Sequence, residues 1–326
     1  MSAAVEHHTE HTVLIDAPPS EVYAVIADVT RWPAAFTPTV HAEVLETVAH
    51  DDGTSEELIH LWAQANGEVK DWTSRRTLDP QNLRVGFRQQ LSAHPVAAMG
   101  GDWFAEPSGD GGTLVRLTHD YRAVDDSPEH REWIARAVES NSTAELARLK
   151  DVVENAVADG EEVTFSFEDS VTVAGSAADL FDFVDRADAW EERLPHVARV
   201  DFTERPGGVQ VLEMDTRAPD GSVHTTRSVR LSLAPDRIVY KQLVLPGLLA
   251  AHTGLWTFAE TDGGVVATSR HTVTVIPEKV TAVLGADRTL ADAKAYVRKA
   301  LGTNSLATLG LAKAYAESRA TLVEAS

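Results

Sequence analysis

The sequence predicts an α+β fold written twice: two tandem domains, each a curved antiparallel sheet wrapped around a long terminal helix. Three observations carry this expectation. Segments of the first half reappear in the same order in the second. In each half a strand and a short helix precede five or six alternating runs parted by hairpin signals. Each half then closes on a long amphipathic stretch.

The repeat can be followed residue by residue. "VLIDAPPSEVYAVIADVTRWP" (13–33) overlays "VTVAGSAADLFDFVDRADAWE" (171–191), placing Trp32 on Trp190. "FRQQ" (87–90) meets "YKQL" (240–243), and "LTHDY" (117–121) meets "SRHTV" (269–273), so His119 pairs with His271. "SNSTAELARLK" (140–150) meets "TNSLATLGLAK" (303–313), pairing Asn141 with Asn304 and Ser142 with Ser305. The offset drifts by a few residues, in Gly-, Pro- and Asp-rich turns where insertions are tolerated. Domains at 1–158 and 159–326 follow, joined near "ADGEEV" (158–163).

The elements come in the same order in both halves. In the first, a strand near 10–15 ends in Ala-Pro-Pro-Ser, a helix start, and the amphipathic stretch 22–29 leads to Trp32. Strands then alternate with turns at "DDG" (51–53), "DPQN" (79–82) and "SGDGG" (108–112). The second half turns at "RPGG" (205–208), "PDGS" (219–222) and "TDGG" (261–264). The closing helices span about 128–156 and 290–323. A sheet gripping one helix leaves room for a cavity between them, so polar residues on inward faces are the ones that matter.

The composition narrows the function. A net charge of -21 repels phosphate backbones and anionic lipid, which argues against nucleic acid and membrane partners. With no cysteine, disulfides and thiolate chemistry are excluded. "MSAAVEHHTEH" holds no signal-like apolar run, and no stretch is long enough to span a bilayer, so a cytoplasmic protein is expected. "HHTEH" (7–11) is not HExxH and is read as a solvated tail. No phosphate loop, nucleophile elbow or metal spacing appears, and no cofactor is expected.

Several polar residues fall on faces that should be dry. In "DWTSRRTLDP" (71–80), strand alternation puts Trp72, Ser74 and Arg76 on the face that Leu78 marks as inward. Arg76 either covers a solvated edge or points inward, where an unpaired guanidinium costs several kcal/mol and so needs a partner or a ligand. His119 shares its face with Leu117 and Tyr121, and is either a satisfied core histidine or an acid–base group. Asn141 falls in the helical stripe of Ile134 and Val138, and Asn304 in that of Val297 and Leu301. Each amide bonds either to the sheet or to a ligand, and Ser142 and Ser305 lie beside them. Trp32, Trp62, Trp72, Trp103, Trp190 and Trp256 serve as core, as flat walls for a planar ligand, or as both.

With "WTSRR" in a mid-sheet strand, a histidine late in the sheet and a cavity under the last helix, the chain resembles the polyketide aromatase/cyclases of the Bet v 1 / START-like superfamily. The tandem arrangement is similar to their didomain subclass, from bacterial type II pathways. The resemblance implies a helix-grip fold and a poly-β-ketone substrate tethered by phosphopantetheine to an acyl carrier protein. It implies first-ring aldol closure followed by dehydration, and the subclass implies a ketoreduced chain closed between C7 and C12. On this view Arg76 stabilises an enolate oxygen, His119 takes a proton and returns it, and Asn141 completes the catalytic set of the first half. Trp32, Trp72, Ser74, Trp103, Tyr121 and Ser142 then line the first pocket.

In the second half "TTRSVRLSL" (225–233) stands in place of "DWTSRRTLD" (71–79). Matching faces sets Arg227 opposite Trp72 and Leu231 opposite Arg76. Arg227, His271 and Asn304 are the catalytic expectations there, with Tyr240 and Trp256 as pocket residues. The second domain either runs a different step, dehydration, or is partly structural. Arg84 and Arg88, or Arg237 and Lys241, are candidate landing sites for an acidic carrier protein. The protein is expected as a monomer or a homodimer. A non-catalytic carrier or sensor of a hydrophobic molecule is the rival function, and a partner-binding domain pair is a third.

Overall fold

The computed structural model describes residues 6–109, 111–158, 160–217, 221 and 223–324, with side chains to residue 321. Most of the turn 219–222, together with Asp110 of the turn 108–112 and Asp159 of the expected domain joint, lies outside the described residues. The chain divides into two compact units, Met1–Ala156 and Val157–Ser326.

The first unit opens with β1 (His7–Ile15), followed by α1 (Pro19–Ala27), a 3-10 turn and α2 (Trp32–Ala35). Proline fills the first position of α1, where its missing N–H costs nothing. Six further strands follow: β2 (Thr39–Ala49), β3 (Ser55–Ala65), β4 (Glu68–Asp79), β5 (Arg84–Leu91), β6 (Val96–Ser108) and β7 (Gly112–Ala123). Helix α3 (Pro128–Glu154) closes the unit. The sheet is fully antiparallel in the order β1-β7-β6-β5-β4-β3-β2. The buried residues of α3 include Ile134, Val138, Ser142, Leu146, Leu149 and Val153, one stripe at helical spacing. It packs on β1 and β7.

The second unit begins with the two-residue strands β8 (Val157–Ala158) and β9 (Glu161–Glu162) and then repeats the plan. Strand β10 (Thr164–Val173) leads to α4 (Ala177–Asp185), whose Ser176 cap accepts the Asp179 N–H at 3.0 Å. After a 3-10 turn and α5 (Trp190–Arg193) come β11 (Val197–Arg205), β12 (Val209–Arg217) and β13 (Val223–Leu233). The sheet continues with β14 (Arg237–Val244), β15 (Leu249–Thr261) and β16 (Gly264–Val275). A short α6 (Val280–Leu284) precedes α7 (Leu290–Glu324), and the sheet order mirrors the first.

One expectation fails at the start of the chain. "HHTEH" is not a solvated tail: it forms the first half of β1, paired with β7 from His7–Tyr121 to His11–Leu117. Its alternation is the reason, since every second residue turns toward α3 and only His8 and Glu10 are exposed.

Candidate functional site

Each unit holds an open cavity between its sheet and its long helix. The first encloses about 800 Å³, mouth included, and is lined by Trp32, Trp72, His119, Asn141 and Ser142 among others. The second encloses about 890 Å³ and is lined by Trp190, Arg230, Tyr240, Trp256, His271, Asn304 and Ser305 among others.

Arg76 points inward, with 1% of its surface exposed, but it does not line the first cavity. Its guanidinium donates to the carbonyls of Ile26 (3.3 Å) and Ala27 (2.6 Å), the last turn of α1, and to Glu57 at 2.5 Å. It also lies 5.4 Å from the Trp32 ring. These acceptors are the carbonyls that a helix C-terminus leaves without partners, where a cation is favoured. The strand sends an arginine inward to close a helix end, so the role of enolate stabiliser in this cavity is withdrawn.

The second unit repeats the device one residue away from the expected place. Arg230, not Leu231, matches Arg76: it donates to Val184 (2.5 Å) and Asp185 (3.5 Å), the last carbonyls of α4, and sits 4.9 Å from Trp190. A one-residue slip exchanges the two faces of a strand. Arg227 is therefore exposed and outside the cavity, and its expected catalytic place is corrected. The two arginines differ in what faces them. Glu57 opposes Arg76 across the ladder, whereas Gln210 opposes Arg230, and among the described residues no carboxylate forms an ion pair with it. Burial lowers its pKa to about 10, so it remains a cation, and it stands in the cavity wall.

Three further expected pocket residues are core instead. Trp103 is stacked on Phe36 at 5.8 Å, Tyr121 stacks on His7 at 5.3 Å, and Ser74 is buried away from the cavity.

His119 lines the first cavity, and its Nδ1 is buried without a partner among the described residues. Burial, and then the nearby His11, hold its pKa down at about 4, so the ring is neutral in ordinary buffers. His7 Nε2, Thr9 Oγ1 and His11 Nδ1, along the inward row of β1, are also buried, with no hydrogen-bond partner among the described residues. His11 Nε2 meets the exposed Glu139 at 3.0 Å. At the matching positions of β10 stand Phe165, Phe167 and Asp169. Phe167 stacks on His271 at 4.9 Å, and Asp169 is held by Arg298. Asn141 donates to the Gln64 carbonyl at 2.9 Å, so part of its amide is spent on the sheet.

In the second cavity both ring nitrogens of His271 are engaged. Nδ1 lies 3.1 Å from Tyr240 Oη and 3.0 Å from His252 Nε2, and Nε2 lies 3.2 Å from Ser269 Oγ. Burial lowers the pKa of His271 to about 4 and of His252 to about 3, and raises that of Tyr240. Bare backbone makes this contact possible. A Cβ on Gly254, which pairs with both Tyr240 and His271, would lie 2.1 Å from the tyrosine ring.

His252, Gln89 and Gln242 are cavity residues that the sequence did not single out. His252 has Met99 as its counterpart, so the repeat could not flag it; only its alternation with Gly254 and Trp256 could. The glutamines lay in the matched "FRQQ" and "YKQL" segments. Each lines its cavity with a buried Oε1 that has no partner among the described residues.

Two curved sheets, each gripping a helix over a mostly apolar cavity with a few polar groups, define the helix-grip class of START and Bet v 1-like folds. The family described as "Polyketide cyclase / dehydrase and lipid transport" matches residues 6–154. The granaticin polyketide synthase bifunctional cyclase/dehydratase of Streptomyces violaceoruber is 48% identical over 93% of this chain and 92% of its own. The actinorhodin counterpart of Streptomyces coelicolor is 46% identical over 97% and 99%. Among solved structures, the di-domain aromatase/cyclase BexL of the BE-7585A pathway is 50% identical with a TM-score of 0.82, covering 95% of this chain and 99% of its own. StfQ of the steffimycin pathway is 35% identical with a TM-score of 0.74, covering 96% and 99%. The chain belongs to this family of didomain polyketide aromatase/cyclases and is a bifunctional cyclase/dehydratase.

Proposed function

We propose that the chain closes and aromatises the first ring of a ketoreduced poly-β-ketone carried on an acyl carrier protein, by C7–C12 aldol closure and dehydration. The ring closure is assigned to the first cavity and the loss of water to the second. One observation carries the division: among the described residues, the first cavity holds a neutral histidine whose Nδ1 has no partner, and the second an arginine with no ion-paired carboxylate beside a tyrosine hydroxyl.

Methylene protons between two carbonyls are acidic, so a neutral imidazole suffices to remove one. A ring with a pKa near 4 holds the proton weakly and passes it to the alkoxide formed on closure. Flat walls at Trp32 and Trp72 restrict how a flexible chain can fold, which is the orientation part of the problem. Dehydration places charge on the departing oxygen and on the carbonyl conjugated with the new double bond. Arg230 and Tyr240 offer donors on that side. Of the landing residues expected for an acidic carrier, Arg84 and Arg88 are already paired with Asp102 and Asp120, Arg237 is half-buried and Lys241 is buried. The carrier is therefore assigned no docking patch. The reaction is placed in the cytoplasm, where carrier-bound chains are made.

Product analysis in a reconstituted synthase and ketoreductase tests the division. His119→Ala should release shunt products closed elsewhere, and Arg230→Gln should release a ring that has kept its hydroxyl. Identical product profiles from the two variants would defeat the assignment.

A further inference from the structure

Tyr240 Oη, His252 Nε2 and His271 Nδ1 converge in the wall of the second cavity, with separations of 3.0, 3.1 and 3.5 Å. Both imidazoles are neutral, so each carries one hydrogen. Two ring nitrogens 3.0 Å apart need a single hydrogen between them. If His252 supplied it, the lone pair of His271 Nδ1 would be used up. Tyr240 would then face that nitrogen at 3.1 Å with no bond to make. If His271 supplies it from Nδ1, every group is satisfied. His252 accepts it, the Tyr240 oxygen flanks it as a second acceptor, and Ser269 O–H donates to the free Nε2 at 3.2 Å. The Tyr240 hydrogen is then left over and faces the cavity that Tyr240 lines.

We propose that His252 is a positioning residue, which fixes the His271 hydrogen on Nδ1 and so turns the Tyr240 O–H into the cavity as the donor to a substrate carbonyl or hydroxyl oxygen. Tyr240 is the group that touches substrate, and His271 acts through it. An N–H donated to a phenol oxygen strengthens the donor on its other side. No bond breaks in this step: the network stabilises negative charge as it grows on the substrate oxygen. The other charged groups near the network are Arg230 on β13 and the Asp169–Arg298 pair behind Phe167, and Asn304 and Ser305 of α7 also line the cavity. The first unit has no such device, because Phe87 and Met99 occupy the positions of Tyr240 and His252. The inference rests on the second cavity being the dehydration site.

Nitrogen-15 NMR of the histidine-labelled full chain reads the hydrogen directly and needs no substrate. His271 should carry it on Nδ1 in the unmodified protein. It should keep it there in His252→Gln, whose amide oxygen accepts the same hydrogen, and lose that preference in His252→Leu. In the reconstituted synthase, Tyr240→Phe should lower dehydrated product about a hundredfold. His252→Leu should lower it about tenfold, with His252→Gln close to the unmodified chain. A hydrogen on Nε2 of His271, or full activity in Tyr240→Phe, overturns the proposal. Failure of the unmodified chain to form any ring would instead defeat the functional assignment, leaving the NMR result to stand alone.

Discussion

Arg76 and Arg230 close equivalent helix ends, yet removing them should have different consequences. Arg76 is paired with Glu57 and lies outside its cavity, so Arg76→Ala strands a carboxylate and two carbonyls. Breaking a buried pair costs about 3 kcal/mol or more. Urea unfolding should show that loss, and the protein that remains folded should give unchanged products. Arg230→Gln should change products as well. His119 and His271 set a pH dependence: each titrates near 4 when folded and near 6.5 when unfolded. Between those values the unfolded chain binds the extra protons, so stability is full above about pH 6.5 and falls as the pH drops toward 4. Thermal unfolding at pH 7 and pH 5 checks the sign. At this scale the sequence exposed which residues are unusual. Inward alternation found Arg76, and the repeat found His119, His271 and Asn304. The helix ends that Arg76 and Arg230 close were hidden, because Ile26, Ala27 and Val184 contribute only backbone carbonyls, and a carbonyl has no signature in a sequence.

The strand is the element on which most of the misreading turned. The order of strands and helices was legible because polar alternation and turn residues are local signals. The register of β13 was not. The loops around β12 and β13 differ in length from those around β3 and β4, and one residue of uncertainty put Arg227 where Arg230 belongs. β1 was cut short for a similar reason: a histidine-rich run lacks the apolar residues that usually mark a strand. β15 offers a sharp test of geometry. Gly254→Ala forces a methyl group into the Tyr240 ring and should cost roughly 1–3 kcal/mol as the ring swings away. Loss of dehydrated product with ring closure retained should accompany the drop in melting temperature.

Across the whole molecule, the duplication preserved a scaffold and let the cavity walls diverge. The paired tryptophans, buried arginines, late histidines and helix asparagines are common to both halves. The hydroxyl of Tyr240 and the imidazole of His252 are confined to the second. Repeats reveal what was kept: the matched segments set Tyr240 against Phe87, but His252, opposite Met99 outside any matched segment, stayed hidden. A division of labour predicts complementation. Chains carrying His119→Ala and Arg230→Gln, mixed in one reconstituted synthase, should together restore final product above either alone, as measured by chromatography.

The row from His7 to His11 has one more consequence. His119 sits beside polar atoms that lead through His11 to the exposed Glu139, while His271 has the flat face of Phe167 at its back. In heavy water, hydrogen handled by the first ring should be replaced by deuterium from the bulk within a turnover. The second ring should trade its hydrogen slowly. Nitrogen-15 NMR of the labelled histidines after transfer into heavy water would read that difference at the two rings directly.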